Sequence, residues 1–135
     1  MGRIIALDTS VFIYVFEGHP SFLKQAENIL RQVESGRVRG IFSIIGMIEL
    51  QTGPKKLNRY DIAARYRELI KTFPNLFVGE LNEQVVEMSS DLRGRYGITT
   101  PDAIHLATAI TAGADRFITN DQALRKVKEI DVDLL

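Results

Sequence analysis

The chain has 135 residues, of which 45% are hydrophobic and 25% are charged, a composition typical of one globular domain. Seventeen Lys and Arg balance seventeen Asp and Glu, so affinity for nucleic acid would need local charge or a bound cation. The lack of cysteine excludes disulfides, thiol nucleophiles and thiolate zinc sites, and two histidines exclude a His-rich metal site.

The apolar stretches are short. The apolar run in residues 4–7 is too short for a signal core and ends at an acid, and the longest nearly apolar run, residues 41–48, is well below the ~20 residues of a membrane span. We therefore expect a soluble, cytoplasmic protein that folds as a single domain over residues 1–135.

The first half of the chain alternates short aliphatic runs with helical periodicity. Residues 4–7 predict a buried strand ending at Asp8, and residues 22–33 predict an amphipathic helix closed by Gly36. Residues 40–43 predict a second strand.

This second strand is predicted to run into a short helix through Glu49 that stops at Gly53-Pro54. A long amphipathic helix is predicted from about Asn58 until Pro74.

The alternation continues in the second half. Residues 76–78 predict a third strand, and Asn82 is the predicted cap of a helix that ends between Gly94 and Gly97. Thr100-Pro101-Asp102 predicts a helix start with Thr100 as cap, and the helix that follows is apolar on nearly every face, so it should be central.

The carboxyl-terminal region predicts two more strands. Residues 116–119 predict a fourth strand, and residues 122–128 predict a short helix. Apolar and acidic residues alternate over residues 130–134, which predicts a strand at the edge of the sheet. Strands separated by helices predict an α/β fold, in which a mainly parallel central sheet of four to five strands is covered on both faces.

Four acidic residues are predicted to meet at one edge of this sheet, because ligands of parallel sheets lie outside the carboxyl ends of the strands. Asp8 ends the first strand, Asp121 lies just beyond the fourth, and Glu49 and Asp102 lie early on helices. Two like charges at 4 Å repel by ~4 kcal/mol at an effective dielectric of 20, so the cluster calls for a divalent cation. Oxygen ligands favour Mg²⁺ or Mn²⁺, with a phosphodiester as the remaining ligand.

Each acid also has a purely structural interpretation. Asp8 and Asp121 could cap the segments that follow them, with Asn120 competing for the second cap. Glu49 could be a solvated helix residue, and Asp102 could serve only the dipole of its helix.

Several segments resemble the motifs of PIN-domain ribonucleases, most of all VapC-type toxins of toxin–antitoxin pairs. They are Asp8-Thr-Ser-Val-Phe-Ile, the pairing of Ser43 with Glu49-Leu, Pro101-Asp-Ala-Ile-His-Leu-Ala-Thr-Ala109 and Ala114-Asp-Arg-Phe-Ile-Thr-Asn-Asp121. The resemblance covers essentially the whole chain, with the motifs in family order.

The resemblance implies a PIN-like α/β/α sandwich and a Mg²⁺- or Mn²⁺-dependent endoribonuclease that forms a homodimer and is held by a cognate antitoxin protein. It implies that the four acids are the catalytic metal ligands. It further implies that the hydroxyls of Thr9 or Ser10 and of Thr119 support the metal ligands. Gly46 departs from the family pattern, since relatives often carry a hydroxyl residue there.

Basic residues offer a candidate path for RNA phosphates. The alternative is that they form a solvated helix face. The candidates are Lys55, Lys56, Arg59, Arg93 and Arg95. His105, one turn after Asp102, is interpreted as a core or supporting residue, and Asp91 as a surface acid, with a contribution of either to the site left open.

Two other functions fit parts of the pattern. The first is a PIN-like module that binds RNA or protein without catalysis. The second is a phosphoacceptor receiver-like domain, but such domains need paired acids near the first strand and a lysine late in the sheet, and here Asp8 stands alone and Thr119-Asn-Asp121 has no lysine.

Overall fold

Five short strands form one parallel sheet in the computed structural model, which describes residues 3–135. The strands are β1 (Arg3–Leu7), β2 (Val38–Ser43), β3 (Leu76–Gly79), β4 (Arg116–Thr119) and β5 (Asp131–Leu134). Their order is β3-β2-β1-β4-β5, and every neighbouring pair is parallel. The predicted parallel sheet is thus confirmed, and the strand order reverses between β1 and β4, the position where such sheets form a crevice.

Helices cover both faces of the sheet. Across residues 3–135 they are α1 (Thr9–Phe16), α2 (Leu23–Glu34), α3 (Ile44–Lys56), α4 (Tyr60–Lys71), α5 (Glu83–Tyr96) and α6 (Thr100–Thr111), with a short 3₁₀ helix at Gln122–Lys126. None of the helices in this part of the chain is long and apolar enough to cross a membrane.

The core is divided into two layers by the alternation of side chains along the strands. On β1, Ile5 and Leu7 join a cluster with Phe12 and Phe42, under α1 to α4. Ala6 points to the other face and joins the cluster under α5 and α6. The two clusters on opposite faces make the fold an α/β/α sandwich, as predicted.

Local sequence signals explain several element ends. The Asn82 side chain accepts a hydrogen bond from the backbone of Val85 and caps α5, and Gly97, with φ +65°, ends that helix in the left-handed conformation. Helix α6 is buried from Ala103 to Ala109, which confirms its central position.

One helix was missed from the sequence, and two local predictions were wrong. Helix α1 was not predicted, since its sequence is rich in β-branched and aromatic residues that favour strands. Helix α3 continues through Gly53 and Pro54 to Lys56, and the buried ring of Pro54 packs within its last turns. Helix α6 is capped by Thr99 and not by Thr100, because the Thr99 hydroxyl accepts the backbone N–H of Asp102.

Candidate active site

Asp8 is fixed from two sides at the carboxyl end of the central strand β1. Its Oδ1 accepts the backbone N–H of Thr9 at 2.7 Å and so caps α1. Its Oδ2 accepts the hydroxyl of Thr119, the last residue of β4, at 2.6 Å. Both oxygens are thereby oriented at the crevice between β1 and β4, where the strand order reverses.

Asp121 is held beside Asp8 by the same hydroxyl. The backbone N–H of Asp121 donates to Thr119 Oγ1 at 3.1 Å, and its Oδ1 accepts the N–H of Ala123, which caps the 3₁₀ helix. Asp8 and Asp121 line one open cleft together with Ser10, Tyr14 and Asn120. The 3₁₀ helix at Gln122–Lys126 is thus capped by Asp121 and not by Asn120.

Asp102 approaches from the first turn of α6. Burial raises the pKa of its carboxyl, and the negative charges of Asp8 and Asp121 raise that pKa further, against the lowering effects of Thr99 and His105. The carboxyl of Asp102 therefore lies within range of the negative charges of Asp8 and Asp121. Elements distant in the chain, the end of β1, the start of α6 and the segment after β4, bring them together.

Glu49 on α3 joins the aspartates through hydrogen bonds. Its Oε1 accepts the hydroxyl of Thr9 at 2.8 Å and lies 2.6 Å from Nε2 of His105. The hydrogen bond with His105 lowers the pKa of Glu49, burial opposes that effect, and Thr9 lowers the pKa further. Because Thr9 directly follows Asp8 in the chain, its hydrogen bond to Glu49 holds Glu49 close to the position of Asp8.

None of these four acids is paired with a lysine or arginine in the described part of the chain. Between residues 3 and 135, no Lys or Arg nitrogen lies within 4.0 Å of any of them, and His105 is the one basic side chain at that distance, next to Asp8 and Glu49. Also in these residues, no group of three or more His, Cys, Asp or Glu is arranged to hold an ion by itself. The donor set suits Mg²⁺, which commonly binds one or two carboxylates and keeps several waters for the rest of its shell.

The hydroxyl residues near the acids differ in their contacts. Thr9 and Thr119 each bond a carboxylate, as described above, and both are buried. Ser10 lies in the cleft, and its buried hydroxyl has no hydrogen-bond partner among the described residues. Thr9 and Thr119 thus contact the acids directly and Ser10 does not, and support of a metal ion by these hydroxyls stays a prediction.

Gly46 is explained by the packing of β2 against α3. A Cβ atom at this position would lie 2.2 Å from Cζ and 2.3 Å from Cε1 of Phe42, a fully buried ring. The departure from the family pattern is therefore coupled to Phe42. Glu49, three residues later, is bonded instead by Thr9 and His105.

Four of the basic residues predicted to meet RNA lie on helices, Arg59 directly precedes α4, and several have local partners. Arg59 pairs with Asp61 at 3.0 Å, and Arg95 pairs with Glu129. Arg93 Nε donates to the carbonyl of Ile98 at 3.0 Å.

Lys55 and Lys56, near the end of α3, are both exposed. Nζ of Lys55 lies 5.7 Å from the ring centroid of Tyr60. Contact of any of these basic residues with RNA remains a prediction.

His105 is the residue whose importance the sequence understated. It was interpreted as a core or supporting residue, and the structure joins both descriptions, since it is 3% exposed and bonds Glu49. The available signal was its spacing, because a residue three positions after Asp102 lies on nearly the same helix face. Asp91 is exposed on α5.

Fold and site together define a class: parallel α/β/α domains in which acidic side chains gather at the carboxyl ends of the central strands. The chain matches the model of the PIN domain family over residues 5–130 and belongs to that family.

Solved structures share the fold over nearly the whole chain. VapBC2 from Rickettsia felis, bound to a DNA fragment from its promoter, is similar with a TM-score of 0.79 at 18% identity, over 98% of each chain. DNA-bound VapBC from Salmonella typhimurium is similar with a TM-score of 0.74 at 18% identity, over 99% of this chain and 98% of that one. VapC20 from Mycobacterium tuberculosis, a toxin that cleaves the Sarcin-Ricin loop, is similar with a TM-score of 0.70 at 16% identity, over 94% of this chain and 98% of that one. No curated protein matches the chain significantly.

Proposed function

We propose that this protein is a Mg²⁺- or Mn²⁺-dependent endoribonuclease that acts as the toxin of a type II toxin–antitoxin pair. The observation that carries the proposal is the convergence of Asp8, Asp102 and Asp121 at the crevice of a PIN fold, where no Lys or Arg nitrogen of residues 3–135 lies within 4.0 Å to balance them. Such a cluster has a physical reason to exist if a divalent cation occupies it.

The four acids have distinct places in this proposal. Asp8, Asp102 and Asp121 would hold the cation directly or through its bound waters, and Glu49 would present Oε2, since both of its hydrogen bonds fall on Oε1. When bound, the cation supplies the charge that polarises an attacking water and stabilises the leaving oxygen of the phosphodiester. Thr119 and the N–H of Thr9 keep Asp8 oriented while the substrate binds.

The substrate is proposed to be RNA, with its phosphates guided by exposed lysines. Lys55 and Lys56 lie at the end of α3, the helix that carries Glu49. Arg59, Arg93 and Arg95 would assist where their local partners leave nitrogen atoms free. Cleavage within an RNA chain is consistent with the open form of the cleft that Asp8 and Asp121 line.

A second copy of the chain, a cognate antitoxin and a cytoplasmic location complete the proposal. The similarity to VapBC complexes supports the antitoxin. Exposed apolar side chains on α3, just after it and at the start of α4 offer surface for a partner, since Ile48 is 63%, Leu57 76% and Tyr60 61% exposed.

The test is cleavage of an internally labelled RNA in Mg²⁺ or Mn²⁺. We expect Asp8→Asn and Asp102→Asn to lower turnover by orders of magnitude and chelation to abolish it. Asp131→Asn makes the same chemical change at an exposed residue of β5, at the opposite edge of the sheet, and should retain activity. Full activity in both site variants would refute the proposal, and tight RNA binding without metal-dependent cleavage would instead support a binding module.

A further inference from the structure

His105 is a buried polar residue in the middle of the acidic cluster. It is 3% exposed, and the rings of Phe42 and Phe117 flank it, with centroids 6.2 and 6.3 Å from its own. Its Nε2 lies 2.6 Å from Glu49 Oε1, 3.3 Å from Thr9 Oγ1 and 4.0 Å from Asp8 Oδ1. The imidazole therefore contacts the site with one nitrogen alone.

The contacts of the ring select its tautomer. Nδ1 is buried and has no hydrogen-bond partner in the described part of the chain. A hydrogen on Nδ1 would be an unpaired buried donor, and it would leave the Nε2 lone pair facing a carboxylate oxygen. With the hydrogen on Nε2, the ring donates to Glu49, and Nδ1 is only an unused acceptor.

The donor from His105 restricts a side chain that is otherwise free to move. Glu49 lies on the surface side of α3, and its side chain is 38% exposed. Thr9 and His105 both donate to Oε1, so they fix the carboxylate and direct Oε2 away from the two donors. His105 follows Asp102 by three residues, so α6 supplies one acid and orients another.

We propose, resting on the proposed function, that His105 is a positioning residue that presents Glu49 to the cation by donating from Nε2. It acts through Glu49 and does not touch the cation or the RNA. Loss of the donor frees Glu49 to adopt other rotamers and weakens cation binding, while the positions of Asp8 and Asp121 stay set by Thr119.

The test compares His105→Leu, which removes the donor at similar volume, with His105→Gln, whose amide nitrogen can occupy nearly the place of Nε2. Mn²⁺ affinity is measured by electron paramagnetic resonance, and the Mg²⁺ concentration for half-maximal RNA cleavage is measured in parallel. We expect His105→Leu to weaken both by about 10–100-fold, the usual cost of losing such a partner, and His105→Gln to recover most of the loss. The KM for RNA at saturating Mg²⁺ should change little.

A double-variant cycle separates positioning from a general effect on the fold. In a Glu49→Ala background, His105→Leu should add no further loss of Mn²⁺ affinity, because the residue through which it acts is gone. If His105→Leu does not fold, His105→Asn takes its place, since its shorter amide does not reach Glu49.

Four results would overturn the inference. The first is wild-type Mn²⁺ affinity in a folded His105→Leu or His105→Asn variant, and the second is an equal loss of Mn²⁺ affinity in the Gln and Leu variants. The third is additive losses of Mn²⁺ affinity in the double-variant cycle, and the fourth is no Mn²⁺ binding by the wild-type protein. The last result would also remove the proposed function. Mn²⁺ binding without RNA cleavage would contradict only the nuclease activity, and the cycle, read by resonance, would still decide the role of His105.

Discussion

Gly46→Ala is expected to destabilise the protein although alanine is the better helix former. In an unobstructed helix interior this change stabilises by up to ~1 kcal/mol. Here the new Cβ would lie 2.2 Å from Cζ and 2.3 Å from Cε1 of Phe42, more than 1 Å inside ordinary contact. The Phe42 ring is fully buried, and its centroid lies 4.8 Å from that of Phe12, so it has no free space to enter.

The expected size of the effect follows from the cost of overpacking. Forcing an extra methyl into a filled core costs typically ~1–3 kcal/mol and occasionally more. The depth of the clash with a fully buried ring places the cost at about 2–3 kcal/mol. After about 1 kcal/mol of helix propensity is subtracted, we expect a net loss of about 1–2 kcal/mol in the free energy of unfolding, or roughly 3–8 °C in Tm. Since Gly46 precedes Glu49 by one turn, a shift of α3 should also lower RNA cleavage.

The assay is urea unfolding followed by circular dichroism, with Gly94→Ala as the matched control. Gly94 lies in α5, and a Cβ there would meet nothing within 4 Å, so this variant should gain about 0.5–1 kcal/mol. In a Phe42→Leu background, where the ring is gone, Gly46→Ala should cost less than in the wild type. If Gly46→Ala is as stable as Gly94→Ala, the argument from the close contact with Phe42 is wrong.

Three further outcomes follow from the site. Asp102 has a raised pKa in the folded state, so the stability that its protonated form contributes is present at low pH and is lost as the pH rises through that pKa. Asp102→Asn should therefore gain stability relative to the metal-free wild type as the pH rises. A difference in Tm between the two proteins that does not change between about pH 3 and 8 would refute this. Thr119→Val removes a buried hydroxyl that bonds Asp8 and should cost about 2 kcal/mol in urea unfolding, whereas Thr119→Ser, which keeps the hydroxyl, should cost less. Alanine at both Lys55 and Lys56 should raise the KM for RNA and flatten its salt dependence without changing Mn²⁺ affinity, and an unchanged KM would exclude them as phosphate contacts.

The strands and the acids at their ends were predictable because their signals are local. In a parallel sheet buried on both faces, strands are short aliphatic runs, and Asp8 and Asp121 follow two of them directly. The placement of both at one edge then follows from the parallel arrangement.

Helix α1 was not predictable from local preference, because tertiary contacts outweigh it. Its residues Val11 and Phe12 favour strands, yet both are fully buried in the core, and Asp8 supplies the cap. The same helix start carries Thr9, whose bond to Glu49 spans 40 residues of sequence and depends on the way α3 packs against α1.

The hydrogen bond between His105 and Glu49 could not be predicted from the sequence for a related reason. The periodicity of α6 shows that His105 shares a face with Asp102, but not that this face meets α3. That meeting depends on Gly46, which lets α3 approach the ring of Phe42, and so on a contact that no spacing rule describes.

The parallel sheet also leaves one edge of the molecule open for experimental reporters. Every strand begins at the edge opposite the acids, and exposed Arg37 lies there, just before β2. Because the chain has no cysteine of its own, a single thiol introduced at Arg37 would be a unique attachment point for a fluorophore or surface tether. Such a handle would allow cleavage to be followed on immobilised molecules, with the crevice facing the solution.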